Sequence, residues 1–196
     1  MDVITNSLNG GQSVDVVFLD FAKAFDKVSH PKLLLKLAAY GLGPIIVNWI
    51  KSFLNNRRQR VVIGNKYSQW ETVLSGVPQG TVLEPVLFTI LINDLPAGVK
   101  NVCELYADDC KLIATIETPY SSINLQSDIN SLQEWAIAWQ CTFNCKKCKV
   151  MHLGKRNSRF NYTMMDGKGN SIVLEKTELE KDLGVMISSN LDWSDI

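Results

Sequence analysis

The chain has 196 residues, of which 46% are hydrophobic, and it carries 20 basic residues, 20 acidic residues and five cysteines. This composition excludes disordered and fibrous proteins and is typical of one globular domain. The apolar stretches are far shorter than the roughly 20 residues of a membrane-spanning helix, and the polar start lacks the apolar core of a secretion signal. We therefore expect an intracellular protein, in the nucleus or cytoplasm, without a membrane partner. The odd number of cysteines fits a reducing compartment.

The net charge of zero hides an uneven distribution along the chain. Residues 27–70 carry eight positive charges and no acid, and residues 135–165 carry six positive charges and no acid. The intervening segment, 71–134, holds nine acids, and the net charge of residues 166–196 is −4. Blocks of this length are compatible with ordinary solvated faces, but also with two basic surfaces that attract a nucleic acid. Charge by itself leaves both interpretations open.

The first part of the chain is predicted to form a strand, two helices and a hairpin. The β-branched segment Val14–Leu19 predicts a buried strand. Apolar residues at helical spacing, with proline near the start, predict one helix after Ser29 and a second over residues 44–55. Alternation of polar and apolar residues within 59–74, about a Gly-Asn turn at 64–65, predicts the hairpin.

A glycine-bounded loop at 76–80 follows and leads into a mostly apolar helix, predicted over Val82–Asp94. Two short strands are then predicted, Val102–Tyr106 and Lys111–Ile116, which places residues 107–110 at a hairpin tip. Aspartate tolerates the positive φ that such tips often need. The acidic pair in this segment is therefore expected at the tip.

The last third of the chain is predicted to contain one long helix and several short strands. Apolar residues at helical spacing after Pro119 predict an amphipathic helix of about five turns. A strand is predicted at Val150–Leu153, and short strands within Phe160–Ile187 with a turn at 166–167. No internal repeat or long linker interrupts this order.

Three aspartates are candidates for chemistry, because they lie at the ends of predicted strands. Asp20 follows the first strand, and Asp108 and Asp109 lie at the hairpin tip. If the strands pair, these like charges converge and raise each other's pKa, which disfavours the fold unless a cation is bound. Mg²⁺ prefers carboxylate oxygens, and two such ions can activate an attacking oxygen and stabilise a leaving phosphate. Each feature also fits a local role in a turn or at a strand end.

Four potential soft metal ligands lie within twelve residues: Cys141, Cys145, Cys148 and His152. Such a cluster raises the question of zinc. Its spacing matches no zinc knuckle, and it straddles a predicted helix end and a predicted strand. We therefore do not expect a zinc site here.

Five segments carry a resemblance to a known family, because they occur in one order at suitable separations. They are FLDFAKAFDKVSHPKLL (Phe18–Leu34), SGVPQGTVLEPVLFTILINDLP (Ser75–Pro96), LYADDCKL (Leu105–Leu112), LQEWAIAWQCTFNCKKCKVMHLG (Leu132–Gly154) and EKDLGVMI (Glu180–Ile187). Together they resemble the reverse transcriptase of non-LTR retrotransposons of the LINE type, close to the jockey-like branch. The resemblance runs from about Val14 to Trp193.

The resemblance implies an α+β fold in which a palm-type antiparallel sheet packs on helices, with truncated fingers and most of the thumb absent. It implies a palm core with partial fingers over residues 1–159. Residues 160–196 would form a hairpin region like a primer grip, leading toward the thumb. The implied activity is that of an RNA-directed DNA polymerase, which transfers a nucleotide from a dNTP to a primer 3′-hydroxyl. Its partners would be an RNA template, a DNA primer and dNTPs.

The same resemblance implies the catalytic residues. Asp20, Asp108 and Asp109 would hold two Mg²⁺ ions, with Mn²⁺ as the alternative ion, for two-metal phosphoryl transfer. Lys147 matches the family's lysine near the triphosphate, where a cation neutralises or protonates the leaving pyrophosphate. Lys146 beside it is the alternative for this role.

Nucleotide-binding residues follow from two of the motifs. Phe25 matches the family's steric gate, whose flat ring leaves no room for a 2′-hydroxyl, and it can pack in the helix at the same time. Phe21 is implied to bind the substrate in the same motif. The loop between Ser75 and Val82 resembles the segment that contacts the templating base and the incoming nucleotide, through Gly76, Pro78, Gln79 and Gly80. Glycines permit close backbone approach, and a glutamine amide can both donate and accept.

Charge, rather than a motif, assigns Arg57, Arg58 and Arg60 to the phosphates of template or duplex. Two residues depart from the family pattern. Glu84 stands where glycine is usual, which places a carboxylate near the nucleotide loop, and Cys110 replaces the more usual threonine.

Three functions remain to be compared. The first is the reverse transcriptase domain of a non-LTR retrotransposon. The second is a catalytically inactive or domesticated fragment that acts as a nucleic-acid-binding module. The third is a metal-dependent phosphatase or nuclease, which shares the carboxylates but leaves Phe25 and the Gly76–Gly80 loop unexplained.

Overall fold

The computed structural model describes residues 2–191, and its contacts divide them into two compact units. The first, called the sheet unit, contains residues 2–22, 95–137 and 142–191. The second, called the helical unit, contains residues 23–94 and 138–141. Trp193, the end of the sequence resemblance, lies outside the described residues.

Strands and helices alternate irregularly along the described chain. The helices are α1 (Asp2–Asn9), α2 (His30–Ala39), α3 (Pro44–Leu54), α4 (Leu83–Ile92) and α5 (Pro119–Trp139), with a 3₁₀ turn at Leu95–Gly98. The strands are β1 (Ser13–Asp20), β2 (Arg58–Gln59), β3 (Val62–Ile63), β4 (Lys66–Tyr67), β5 (Glu71–Thr72), β6 (Val102–Tyr106), β7 (Asp109–Ile116), β8 (Lys149–Leu153), β9 (Thr163–Met165), β10 (Ser171–Val173), β11 (Glu175–Lys176), β12 (Leu179–Asp182) and β13 (Val185–Ser188).

Strand β1 lies at the centre of a five-stranded sheet with the order β11-β8-β1-β7-β6. It pairs antiparallel with β7 and with β8, and β6 pairs antiparallel with β7. The outer strand β11 pairs parallel with β8, so the sheet predicted to be antiparallel has one parallel edge. The predicted strand Val14–Leu19 is confirmed and extends one residue further at each end.

The sequence of β1 explains its central position. Val14, Val16, Val17 and Leu19 are all at most 4% exposed, so both faces of the strand are buried. The exception is Asp15, which is also fully buried and is held by three partners. Its carboxylate lies 2.6 Å from His152 Nδ1 and accepts hydrogen bonds from the Tyr162 hydroxyl at 2.6 Å and the Asn157 amide at 2.7 Å. These bonds give partners to a carboxyl group that is otherwise expensive to bury.

Helix α5 confirms the predicted amphipathic helix, with Leu125, Ile129, Leu132 and Ala136 buried. Its buried Asp128 accepts hydrogen bonds from the backbone N–H groups of residues 100 and 101 at 3.0 and 2.9 Å. On the same helix, the Gln126 amide donates to the carbonyl of Thr163 in β9 and accepts from its N–H. Gln133 makes the same two bonds with Met165. The polar residues of α5 therefore fix the chain segments on either side of it.

In the helical unit, α2, α3 and α4 confirm the three helices predicted there. Helix α2 begins directly after Ser29, and α3 and α4 lie within two residues of their predicted bounds. The hairpin predicted within 59–74 is also confirmed, as two short antiparallel ladders, β3–β4 within β2–β5. The ammonium of Lys36 is buried, lies 2.5 Å from Asp94 and 3.8 Å from the centre of the Trp139 ring, and donates to the Leu91 carbonyl. Burial lowers the pKa of Lys36, against the effect of Asp94.

Helix α1 precedes the first predicted element and was not expected from the sequence pattern. Its Ile4 packs with Val14, Val16, Ile113 and Met151 in an apolar cluster of the sheet unit. None of the helices within residues 2–191 has both the length and the hydropathy needed to cross a bilayer.

Candidate active site

Asp20 and Asp109 lie directly opposite each other at the end of the central strand pair. Asp20 is the last residue of β1 and Asp109 the first of β7. Directly opposed residues of an antiparallel pair project from the same face, with Cβ atoms about 4.5–5.5 Å apart. The turn before β7 consists of Ala107 and Asp108, so it is two residues shorter than predicted. The residue with positive φ is Ala107, at +52°. Of the acidic pair expected at the tip, Asp108 lies in the turn and Asp109 begins β7.

Four carboxylates converge at this end of the sheet. Partial burial raises the pKa of Asp109, and the negative charges of Asp108, Asp182 and Asp20 raise it further. Lys111 acts in the opposite direction. Carboxylates this close disfavour one another's ionised form, and a bound cation would relieve that repulsion.

Lys147 supplies a positive charge at the same place. Its Nζ lies 3.2 Å from Asp20 Oδ2, and its side chain is 66% exposed. The preceding segment is tied to the end of β1, because the Asn144 N–H donates to the Asp20 carbonyl at 2.7 Å and the Ala22 N–H donates to the Thr142 carbonyl at 2.7 Å. The backbone therefore delivers Lys147, rather than Lys146, to the carboxylate.

An open cavity of about 470 Å³ borders these residues within the sheet unit. Asp20, Asp109 and Lys147 line one part of it, Leu105 and Tyr106 of β6 another, and residues 180–183 at the end of β12 a third. The cavity has charged groups of both signs and apolar walls, which is typical of a ligand-binding cleft.

In the helical unit, the Gly76–Gly80 loop is fixed to the segment that contains Phe25. The Gly76 N–H donates to the Val28 carbonyl at 2.8 Å, and the Val77 N–H donates to the Phe25 carbonyl at 2.9 Å. Gly76 has a φ of +86°, and a Cβ there would lie 2.7 Å from the Asp26 carbonyl oxygen. Only glycine permits both this conformation and this approach.

Side chains within the loop make further hydrogen bonds. The Gln79 amide donates to Asp26 Oδ1 at 3.1 Å, and the Thr81 hydroxyl donates to the Pro78 carbonyl at 2.7 Å. The first of these bonds uses one of the two N–H groups of the Gln79 amide, so the second N–H and the amide oxygen can still bond to a ligand.

Glu84 and Phe25 are held by neighbours in the same unit. Glu84 lies in the first turn of α4, and its Oε2 accepts a hydrogen bond from the Gly80 N–H at 2.6 Å. A carboxylate is favourable at a helix N-terminus. The Phe25 ring packs against Phe88, with 4.7 Å between the ring centres.

Arg57 makes different contacts from Arg58 and Arg60. Its Nη1 donates to the Gly76 carbonyl at 3.3 Å, and His30 Nε2, which is buried, donates to the same oxygen at 2.8 Å. Both residues therefore support the loop. The contacts of Arg57 offer no evidence for phosphate binding.

Arg58 and Arg60 instead belong to an exposed aromatic hairpin. The Arg60 guanidinium lies 4.4 Å from the centre of the Tyr67 ring and 4.7 Å from that of Trp70, and Arg58 lies 5.8 Å from Trp70. The two aromatic residues are 59% and 49% exposed. We call this group of four residues the arginine–aromatic hairpin.

Comparison with known proteins identifies the family. Residues 4–185 match the family described as reverse transcriptase (RNA-dependent DNA polymerase). The chain belongs to the reverse transcriptase family. It is 33% identical over 188 residues to the RNA-directed DNA polymerase from mobile element jockey of Drosophila funebris, covering 90% of this chain and 20% of the relative. The probable RNA-directed DNA polymerase from transposon BS of Drosophila melanogaster is 30% identical, over 74% of this chain and 17% of the relative.

The chain thus spans about a fifth of the length of these curated relatives. Among solved structures, apo telomerase from Candida tropicalis, truncated from its C-terminal domain, matches with a TM-score of 0.59 at 15% identity. That match covers 97% of this chain and 38% of the telomerase chain. It confirms the predicted α+β palm-type fold of the reverse transcriptase.

The structure of this member of the reverse transcriptase family groups the predicted site residues into two sets. Asp20, Asp108, Asp109 and Lys147 lie together in the sheet unit. Phe25, the Gly76–Gly80 loop and the three arginines lie in the helical unit. Phe21 is 5% exposed, and its ring stacks on Phe143 with 4.4 Å between centres, so this ring is part of the core.

The sequence patterns did not predict the ion pairs that lie beside the carboxylates. Lys111 lies 2.5 Å from Asp182 and 3.1 Å from Glu104, and Lys149 lies 3.0 Å from Glu180. The sequence Glu-Lys-Asp at 180–182 could have indicated these pairs, because in a strand it places two carboxylates on one face.

The four soft ligands considered for zinc have other partners. His152 is bonded to Asp15, and buried Cys148 accepts a hydrogen bond from the Asp20 N–H at 3.5 Å. Burial raises the pKa of the Cys148 thiol to about 12 and that of Cys141 to about 11, which disfavours the thiolate that a metal requires. Among residues 2–191, no three His, Cys, Asp or Glu side chains are arranged to hold a metal ion.

Proposed function

We propose that this chain is the catalytic palm region of an RNA-directed DNA polymerase encoded by a non-LTR retrotransposon. The observation that carries the proposal is the register pairing of Asp20 with Asp109 beside the Ala107-Asp108 turn. A reverse transcriptase of this kind uses an RNA template, a DNA primer and dNTPs, and works in the nucleus or cytoplasm. Residues 1–159 would form the palm core with partial fingers, and residues 160–196 the primer-grip-like region.

The carboxylates fit divalent metal ions by their chemistry. Asp20, Asp108 and Asp109 offer the hard oxygen ligands that Mg²⁺ prefers. Partial burial, together with repulsion from the neighbouring carboxylates, raises the pKa of Asp109. Among residues 2–191, the side chains of these three aspartates are not arranged so that all three could bind one metal ion. When bound, a pair of Mg²⁺ ions would activate the primer 3′-hydroxyl and stabilise the leaving pyrophosphate.

The remaining residues would bind and orient the nucleotide. Lys147, 3.2 Å from Asp20 and two-thirds exposed, would neutralise or protonate the leaving pyrophosphate. Phe25, braced by Phe88, would exclude a 2′-hydroxyl with its flat ring. The Gly76–Gly80 loop, fixed to the Phe25 segment, would present backbone groups and the Gln79 amide oxygen to a base.

The arginine–aromatic hairpin is the best-supported nucleic-acid surface of the helical unit. Its two arginines, Arg58 and Arg60, are exposed, and no acid occurs between residues 27 and 70. Tyr67 and Trp70 offer ring faces on which bases of a single strand can stack, while the guanidinium groups attract phosphates. We propose that this hairpin contacts the single-stranded template.

A second candidate function is a catalytically inactive nucleic-acid-binding module, and Glu84 is the observation that favours it. Its carboxylate occupies the Gly80 N–H at 2.6 Å, so this backbone donor is not free for a nucleotide. A glycine at this position would release the donor and remove a negative charge from the loop.

Primer extension on the full chain tests the proposal. With an RNA template, a DNA primer, dNTPs and Mg²⁺, we expect the chain to add deoxynucleotides, and Asp108→Ala to abolish the addition. Glu134→Gln, a change at an exposed acid on α5, is the matched control and should extend primers normally. A Glu84→Gly variant is assayed in parallel.

Extension by the wild-type chain supports the polymerase. If Glu84→Gly extends primers and the wild type does not, Glu84 inactivates the polymerase. That result would support the second candidate function, an inactive nucleic-acid-binding module. If neither protein extends a primer while both bind the RNA, the catalytic proposal is wrong for this chain.

A further inference from the structure

The β12–β13 hairpin contains the Glu180–Ile187 segment, whose acidic residues are unsuited to binding primer phosphates. In the described residues, β12 and β13 pair with each other and not with the five-stranded sheet. The hairpin must therefore be held to the rest of the sheet unit mainly by side chains. Ile187 contributes by packing against the apolar cluster that contains Val16 and Met151.

Two lysines form a row across the sheet at the place where this hairpin lies. Phe18 of β1 is the register partner of Lys111 in β7 and of Lys149 in β8. Directly opposed residues share a face, so the two lysines flank Phe18 on one side of the sheet. Asp20 lies two residues further along β1, and therefore on the same face.

The acids of β12 match this row. Glu180 and Asp182 are two residues apart and so project from one face of β12. Glu180 pairs with Lys149 at 3.0 Å, and Asp182 pairs with Lys111 at 2.5 Å. The four side chains are between 13% and 29% exposed, which makes these ion pairs less screened than fully exposed ones.

We infer that Lys111 and Lys149 are positioning residues, which anchor the β12–β13 hairpin beside Asp20 and Asp109 by pairing with Asp182 and Glu180. Lysines near a polymerase site would ordinarily be assigned to phosphate binding, but both of these already have carboxylate partners. The anchor sets the distance between the hairpin end at Leu183 and the carboxylates across the cavity. Its effect on catalysis rests on the proposed function, whereas the anchoring itself does not.

A charge exchange on the full chain tests the anchor. Lys149→Glu and Glu180→Lys each remove the pair, and the double variant Lys149→Glu/Glu180→Lys restores it in reverse. Lys155→Met is the matched control, because this lysine is exposed and lies just after β8. The measurement is backbone amide hydrogen exchange in residues 179–188, compared with the strands of the central sheet.

We expect each single variant to speed exchange in the hairpin about fivefold, and the double variant to return it to within about twofold of wild type. Exchange in β1 and β7 should stay unchanged, which shows that the variants fold. Wild-type exchange in both single variants, or a double variant as fast as the singles, would overturn the anchor.

A kinetic readout tests the positioning role. Lys111→Met should raise the KM for the primer–template several-fold while the KM for dNTP stays constant, and Lys111→Arg should restore the wild-type value. Unchanged primer KM in Lys111→Met would contradict this role. If the wild-type chain does not extend primers, the exchange experiment still decides the anchor, so the two failures are distinguishable.

Discussion

The carboxyl of Asp109 is surrounded by three other acids, Asp20, Asp108 and Asp182, and by Lys111. Because its pKa is raised in the folded protein, the native state binds this proton more tightly than the unfolded chain does. The resulting stability is present below the ordinary carboxyl pKa and is lost as the pH rises through the raised value. At neutral pH, the metal-free site therefore opposes folding.

Asp109→Asn tests this destabilisation. In the presence of a chelator at pH 7, we expect its melting temperature to exceed that of the wild type by about 1–3 °C, since one repelling charge is removed. The difference should shrink below about pH 4, where the wild-type carboxyl is protonated. Circular dichroism melts over this pH range provide the measurement, with Glu134→Gln as the control. A variant less stable than wild type at pH 7 would contradict the repulsion.

The loop after β5 and the segment after β1 behave as one element of the helical unit. Backbone hydrogen bonds join Gly76 and Val77 to the Phe25–Val28 segment, and His30 and Arg57 both donate to the Gly76 carbonyl. The steric demand at Gly76 differs from that at Gly80, although both have positive φ. A Cβ at Gly76 would meet backbone atoms at 2.7–2.9 Å, whereas nothing lies within 4 Å of one at Gly80.

Gly76→Ala and Gly80→Ala form a matched pair for this element. We expect Gly80→Ala to lower the free energy of unfolding by about 1–2 kcal/mol, the strain of a left-handed alanine. Gly76→Ala should cost at least about 3 kcal/mol, because backbone must also move. Urea denaturation measures both values. Equal losses in the two variants would show that the loop is not packed against the Phe25 segment.

At the scale of the whole molecule, each of the two basic blocks of the sequence contains both ion-paired and exposed bases. In the block 135–165, Lys147 and Lys149 form ion pairs with Asp20 and Glu180 inside the sheet unit. The block 27–70 lies in the helical unit and contains the exposed Arg58 and Arg60. Net charge zero is therefore compatible with a nucleic-acid partner, because part of the negative charge is concentrated at the carboxylate site.

Salt dependence of RNA binding tests this distribution. If Arg58 and Arg60 each neutralise one phosphate, the slope of log K against log salt for a single-stranded RNA should flatten by about 1.4 in Arg58→Gln/Arg60→Gln. Lys168→Gln, an exposed lysine in the acidic C-terminal segment, should leave the slope unchanged. Fluorescence anisotropy with a labelled oligonucleotide measures it. An unaltered slope in the double variant would show that these arginines do not contact RNA phosphates.

Local periodicity and short motifs were enough to predict the family, the central strand, helices α2 to α5 and the position of three aspartates at or beside strand ends. They could not predict contacts between segments that are distant along the chain, because those contacts depend on how the strands pair. Register pairing put Asp109 opposite Asp20, a two-residue turn put the positive φ on Ala107, and strand order brought Lys111 and Lys149 to Asp182 and Glu180. A strand's pattern specifies which face a side chain occupies, but not which partner stands there.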